Sequence, residues 1–192
     1  MVRVTGNFQS ETALNSLAAQ AFLAALDSGW ADPKKIGQSP SRAANLRASA
    51  LESLATNLGI KADQIEITGE VGLGYLLSLG GFLEPQRKLY YGAGDRSGVI
   101  ATARSHHGDS EIIPLSPRGN LDFSAVEFAT NSVLSFQLAN GETGAINKVP
   151  DQMPDNILIA VDATASGNRA RLPHKWSSAV FDSRAWEGPA GL

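Results

Sequence analysis

The chain has 192 residues, 43% of them apolar and 18% charged, with 16 basic residues against 19 acidic ones and a net charge of −3. This composition is that of a soluble globular protein; it offers no basic excess for nucleic acid and no apolar run that approaches a membrane span. The absence of cysteine excludes disulfides, thiolate metal sites and a persulfide-carrying cysteine within this chain. The first residues, Met1 to Phe8, lack the apolar segment of a signal peptide, so a cytoplasmic location is expected.

In chain order, Leu14–Leu26 is an Ala/Leu-rich amphipathic run that reads as a helix, broken by the turn residues of Asp27–Pro33. Ser39 is the expected N-cap of a second helix, with Pro40 at its first position, and Gly59 its C-cap after Leu58. Beyond residue 60 the pattern changes to short β-rich runs: Gln64–Thr68, Lys88–Tyr91, Glu111–Leu115, Ser132–Gln137, Asn156–Val161 and Ser178–Phe181. Helical segments are expected between them at Gly72–Leu79, Gly98–Arg104 and Phe123–Thr130. Alternating strands and helices, with strands apolar on both faces, predict a three-layer α/β/α unit with a mostly parallel sheet. Residues 1–192 are read as one unit, with N-terminal helices over 1–60 and the α/β sheet over 61–192.

Five segments carry a family resemblance. Leu138-Ala-Asn-Gly-Glu-Thr-Gly144 resembles an A-N-N-E-T-G turn. The apolar run Asn156–Val161 ends in Asp162. Ser178–Phe181 leads into Asp182-Ser-Arg-Ala-Trp-Glu-Gly-Pro-Ala-Gly191, which resembles S-A-H-K-x-x-G-P-x-G. Trp30-Ala-Asp-Pro33 and the helix from Arg42 to Glu52 resemble the turn and first helix of the same family. In this order they resemble class V aminotransferases and cysteine desulfurases, pyridoxal-phosphate-dependent enzymes of fold type I. The resemblance covers the large domain and implies a seven-stranded, mainly parallel sheet with one antiparallel strand. The seventh strand and the small C-terminal domain would lie beyond Leu192, so a truncated unit, completed by a missing segment or a partner chain, is expected.

The resemblance also implies a site. Asp162 falls where an aspartate pairs with the cofactor's pyridine nitrogen; as a residue it is also a plain strand-end turn cap. Asn140 falls near the ring oxygen, and Asn-Gly is also a turn signal. Gly69 and Gly72, in Thr68-Gly-Glu-Val-Gly-Leu-Gly74, fall where phosphate ligands belong, in a strand-to-helix turn suited to an anion. Arg96 falls where a histidine stacks on the ring, and Arg184 where another histidine is usual. Five departures oppose the chemistry: Ala185 replaces the Schiff-base lysine, Asp182 a phosphate-binding serine, Ala165 a glutamine, Arg96 the stacking histidine, and Glu70 puts a negative charge beside the phosphate turn.

No residue is assigned a catalytic role. Lys175, in His174-Lys175, precedes its strand instead of following it and reads as a loop lysine. His106-His107 beside Asp109 lacks a third ligand at useful spacing and reads as a solvated loop, so no metal is expected. Gly92–Gly98 resembles a dinucleotide-type glycine loop, but no acidic residue ends the next strand. The expected function is therefore a degenerate pseudoenzyme related to class V aminotransferases and cysteine desulfurases, with pyridoxal phosphate as its ancestral cofactor. It would take an amino-acid-like ligand and pair as a homodimer or with a partner chain. An active transferase or desulfurase completed in trans, and an unrelated nucleotide-binding α/β module, are the alternatives.

Overall fold

The computed structural model describes residues 14–29, 31–167 and 169–189. The Met1–Phe8 stretch, Trp30 of the early turn, and Ala190 and Gly191 of the last turn lie outside them. The described residues fall into two compact units, one of Asn15–Thr68 and one that begins at Gly69 and includes Leu14.

In the smaller unit, α1 spans Ser16–Asp27, and the Asn15 side chain caps it by accepting from the Leu17 amide at 2.9 Å. Helix α2 spans Gln38–Leu58. It starts one residue before the expected Ser39 cap: Gly37, with φ 146°, makes the sharp entry, and Pro40 still falls in the first turn, where its missing N–H costs nothing. Gly59 closes α2 in the left-handed region at φ 69°, as expected, with Ile60 N–H donating back to Ala55. Leu51 and Ala55, one turn apart, are the buried residues of its inward stripe. Gln64–Thr68 is not a strand. Ala62–Gln64 is a single 3₁₀ turn, and 65–68 joins no sheet ladder.

The larger unit holds five strands among its described residues: β1 Leu89–Gly92, β2 Ser110–Ile113, β3 Val133–Gln137, β4 Leu158–Asp162 and β5 Ser178–Val180. Their order is β2-β1-β3-β4-β5, and every pairing is parallel. The sheet therefore has five strands and not the six runs read from the sequence. All five residues of β3 are buried, with Val133, Leu134 and Phe136 apolar on both faces and Ser135 and Gln137 buried polar residues. Alternate residues serve opposite faces. Tyr90, Leu134, Phe136, Ile159 and Val161 pack on one side. Leu89, Val133, Ala160 and Val180 pack on the other, against Tyr75 and Leu79 of α3 (Val71–Ser78 and its cap) and Val99 and Ala103 of α4 (Ser97–Arg104).

Among the described residues of the larger unit, no α-helix packs on the first face. The expected helix over Phe123–Thr130 is one 3₁₀ turn, Phe123–Ala125, capped by Asp122. Tyr90 is the reason the chain stays non-helical beyond it: its hydroxyl donates to Glu127 O at 2.8 Å and accepts from Ala129 N–H at 2.9 Å. Phe128 and Phe123 then lie on Tyr90 and Phe136, with ring centroids 4.8 Å and 6.3 Å apart. Tyr90→Phe should leave two backbone groups without their partner and cost about 2 kcal/mol, readable as a lowered midpoint in urea unfolding with an unchanged slope. No helix of the described residues is long and apolar enough to cross a membrane.

Candidate functional site

Parallel strands bring their carboxyl ends to one edge, where the following loops meet. Four stretches converge there: Gly92–Arg96 after β1, Gln137–Gly141 after β3, Asp162–Ser166 at the end of β4, and Asp182–Ala185 after β5. Tyr75 reaches in from α3.

Asp162 is the centre of this arrangement, with 4% of its surface exposed. Its Oδ1 accepts from the Thr164 amide at 2.9 Å and the Thr164 hydroxyl at 2.6 Å. Its Oδ2 accepts from the Tyr75 hydroxyl at 3.1 Å and faces Arg96 Nε at 3.7 Å. Burial, with the Asp162 charge beside it, drives the Tyr75 phenol far above its ordinary range, so it stays a neutral donor. The strand-end aspartate thus caps its own turn and also holds a phenol and a guanidinium. The sequence reading found Asp162 and Arg96 but not Tyr75 or Thr164. The D-x-T spacing was the available signal for Thr164, and Tyr75 offered none of its own within α3.

Asp95, also missed, lies beside this centre and is 7% exposed. It closes the turn after β1: Gly92 N–H donates to its Oδ2 at 3.0 Å, and its own N–H donates to Gly92 O. Ser135 Oγ donates to the same Oδ2 at 3.1 Å, while Oδ1 is buried without a hydrogen-bond partner. Burial, aided by the Asp162 charge, pushes the Asp95 carboxyl up to about 7, against the pull of the Gly92 and Ser135 bonds. The Gly92 amide, which a phosphate-binding glycine loop would offer to its ligand, is thereby taken.

Asn140 holds the turn it begins. Its Nδ2 donates to Gly94 O at 3.2 Å and Gln137 Oε1 at 3.0 Å, and its Oδ1 accepts from Glu142 and Thr143 amides, each at 2.9 Å. Both amide hydrogens and both carbonyl lone pairs are used. A Cβ at Gly141 would lie in ordinary contact, 3.5 Å from both Ala165 Cβ and Arg96 Nη2.

After β5, Asp182 caps the 3₁₀ turn Ser183–Trp186, and Arg184 folds back on it, Nη2 to Oδ2 at 2.6 Å and Nε to both carboxylate oxygens at 3.1 Å. Burial alone would raise the Asp182 carboxyl; the Arg184 bonds and charge, with Arg96 contributing, outweigh it and hold the carboxyl below its usual range. Ala185 sits within this turn, its N–H donating to Asp182 O at 3.0 Å. Gly69 and Gly72 flank Glu70, the N-cap residue of α3, and a Cβ at either would meet nothing within 4 Å. Lys175 pairs with Asp155 at 2.9 Å, both exposed. Both residues precede their strands, at the end of the sheet opposite Asp162. His106 is held by Arg87 O at 2.8 Å, from the stretch that precedes β1. The structure therefore gathers Asp162, Arg96, Asn140 and Arg184 at one edge and adds Tyr75, Thr164 and Asp95.

The sequence resemblance implies pyridoxal phosphate as the ancestral cofactor. A buried carboxylate, Asp162, stands at the strand ends, but the side chains that would serve the phosphate and the aldehyde do not fit. Glu70 stands at the N-terminus of α3, Asp182 is bound to Arg184, and position 185 carries no amine.

No family model and no curated protein sequence matches the chain. Solved structures do match in fold. A NifS-like protein aligns at a TM-score of 0.84 and 17% identity, over 96% of this chain and 56% of its own. SspA in complex with cysteine aligns at 0.85 and 17%, over 96% and 58%. A lysine-to-alanine mutant of C-DES, with glycine covalently linked to the pyridoxal-phosphate cofactor, aligns at 0.72 and 18%, over 96% and 54%. The chain has the parallel α/β fold of these proteins and spans about half their length.

Proposed function

We propose that this chain is the large-domain part of a pyridoxal-phosphate-dependent protein of the class V aminotransferase and cysteine desulfurase type, degenerate in its covalent chemistry. The observation that carries this reading is the pairing of a retained and a lost element at one sheet edge. Asp162 stays buried at the end of β4, held by Tyr75 and Thr164, while the turn after β5 presents Ala185. A methyl group forms no imine, and the proton transfers that a lysine amine would relay have no carrier at that position. When bound in a protein of this type, the cofactor supplies an electron sink; here Asp162 would be the residue to pair with its ring nitrogen. The C-DES structure combines an alanine in place of a lysine with bound cofactor. Loss of the lysine by itself therefore does not decide binding, and binding and imine formation must be measured separately.

The test is titration of the purified chain with pyridoxal phosphate, followed by absorbance and, after borohydride reduction, by intact mass. The expected result is no visible imine band and no reduced adduct at a single lysine. A stoichiometric adduct on one lysine would overturn the degenerate reading and favour an active enzyme. Ala185→Lys alone should not restore turnover, because Asp182 and Glu70 still oppose a phosphate dianion.

A further inference from the structure

We propose that Arg96 is a built-in counter-cation for Asp162, so that any ligand requiring this carboxylate must first displace the arginine. Three observations carry this. Asp162 is 4% exposed, and Arg96, with Nε 3.7 Å from its Oδ2, is the cation within ion-pair range among the described residues. A buried carboxylate demands such a partner, since an uncompensated charge in the interior is costly. The guanidinium lies beside two small residues: a Cβ at Gly141 would make ordinary contact, 3.5 Å from Arg96 Nη2 and 3.5 Å from Ala165 Cβ. Larger residues at 141 or 165 would compete with the arginine for this place. The charge of Arg96 also reaches Asp182 and Tyr75, so its field covers the edge from α3 to the turn after β5.

An arginine stays protonated at any physiological pH and brings a flat, ring-sized group. It meets the electrostatic need of Asp162 from within the chain, as a cationic aromatic nitrogen would from outside. Its side chain is 42% exposed, so the outer edge faces solvent and the group can swing out without breaking the core. The identification of the displaced ligand as a pyridoxal derivative rests on the proposed function; the internal ion pair does not.

The experiment uses the full chain as wild type, Arg96→Ala, Asp162→Asn and the double variant. Thermal unfolding of the four gives a mutant cycle, and equilibrium dialysis with pyridoxamine phosphate, an amine that forms no imine with a lysine, gives binding. Arg96→Ala should lower the melting temperature by about 4 °C, and the double variant should lose clearly less than the sum of the singles. Arg96→Ala should also bind pyridoxamine phosphate about 10-fold more tightly than wild type. Additive single effects, or no gain in binding on removing Arg96, would overturn the proposal. If Arg96→Ala does not fold, Arg96→Gln takes its place in the same cycle. A reducible imine in the wild type would overturn the degenerate reading and leave the ion-pair cycle standing, so the two failures are distinguishable.

Discussion

Stability of the folded chain should fall as pH rises from about 4 to about 7, and Asp95→Asn should abolish most of that fall. The Asp95 carboxyl titrates near 3.8 when exposed and is pushed up to about 7 in the fold, by burial first and by Asp162 second. Between these values the folded chain holds a proton that the unfolded chain has released. Stability is then fully present below the unfolded value and is lost as pH rises through the folded one. The linkage corresponds to about 4 kcal/mol for the single group. Its physical origin is visible in the geometry: Oδ2 has two donors, and Oδ1 has none and is sealed from water. An ionised Asp95 has to sit with one bare oxygen beside a second buried carboxylate. An asparagine keeps the carbonyl that accepts from Gly92 and Ser135 and carries no charge. The variant should therefore melt higher than wild type at pH 8 and match it at pH 4. Equal melting temperatures at pH 8, together with an unchanged pH profile, would show that Asp95 is not the group responsible. The same experiment bears on the site. Below about 7 the protonated Asp95 adds no charge, and Asp162 and Arg96 balance one another. Above it, the edge gains a second negative charge next to the arginine.

The sheet was legible because its strands are covered on both faces. Leu158 to Val161 is apolar at every position, and Val133, Leu134 and Phe136 make β3 apolar on both faces, a pattern that no amphipathic helix has. The end of α2 was legible because Gly59 is the residue the left-handed cap asks for. What escaped was whatever depends on a distant partner. Gln64–Thr68 has strand-like residues, but a strand exists only with a neighbour to pair with, and the sequence does not display one. Phe123–Thr130 has helix-compatible spacing, yet Tyr90, more than thirty residues earlier, claims the backbone of Glu127 and Ala129. The site divides in the same way. Asp162 was found from its own strand end, and Asn140 from its own turn. Tyr75 lies 87 residues from the carboxylate it binds, and nothing in the local pattern of α3 distinguishes a core tyrosine from a site tyrosine.

Gly167→Ala should be among the most damaging single substitutions in the larger unit, at about 3 kcal/mol, through two separable causes. Gly167 has φ 52°, a left-handed conformation that costs any residue with a Cβ about 1–2 kcal/mol. The new methyl would also stand 2.5 Å from Trp186 Cδ1, 2.6 Å from its Nε1 and 2.9 Å from Ala185 O. The indole is not free to retreat, because it lies on Phe181 with ring centroids 5.1 Å apart, and the carbonyl belongs to the backbone of the 3₁₀ turn. Overpacking against such neighbours costs a further 1–3 kcal/mol or so. Trp186→Leu should relieve the clash with the indole, leaving the contact with Ala185 O and the backbone strain. The double variant Gly167→Ala/Trp186→Leu should therefore lose less stability than the two single effects summed, by about 1 kcal/mol in a urea-unfolding cycle. Strict additivity would mean that the turn after β5 moves freely. That outcome would matter for the site, since Gly167 follows the Asp162–Ser166 segment and touches the turn that carries Ala185. The close approach of these two segments fixes where any side chain at position 185 can point. A lysine placed there would start from a backbone held by Gly167 on one side and by the Asp182 cap on the other, which is a geometric reason, independent of charge, for expecting Ala185→Lys to remain silent.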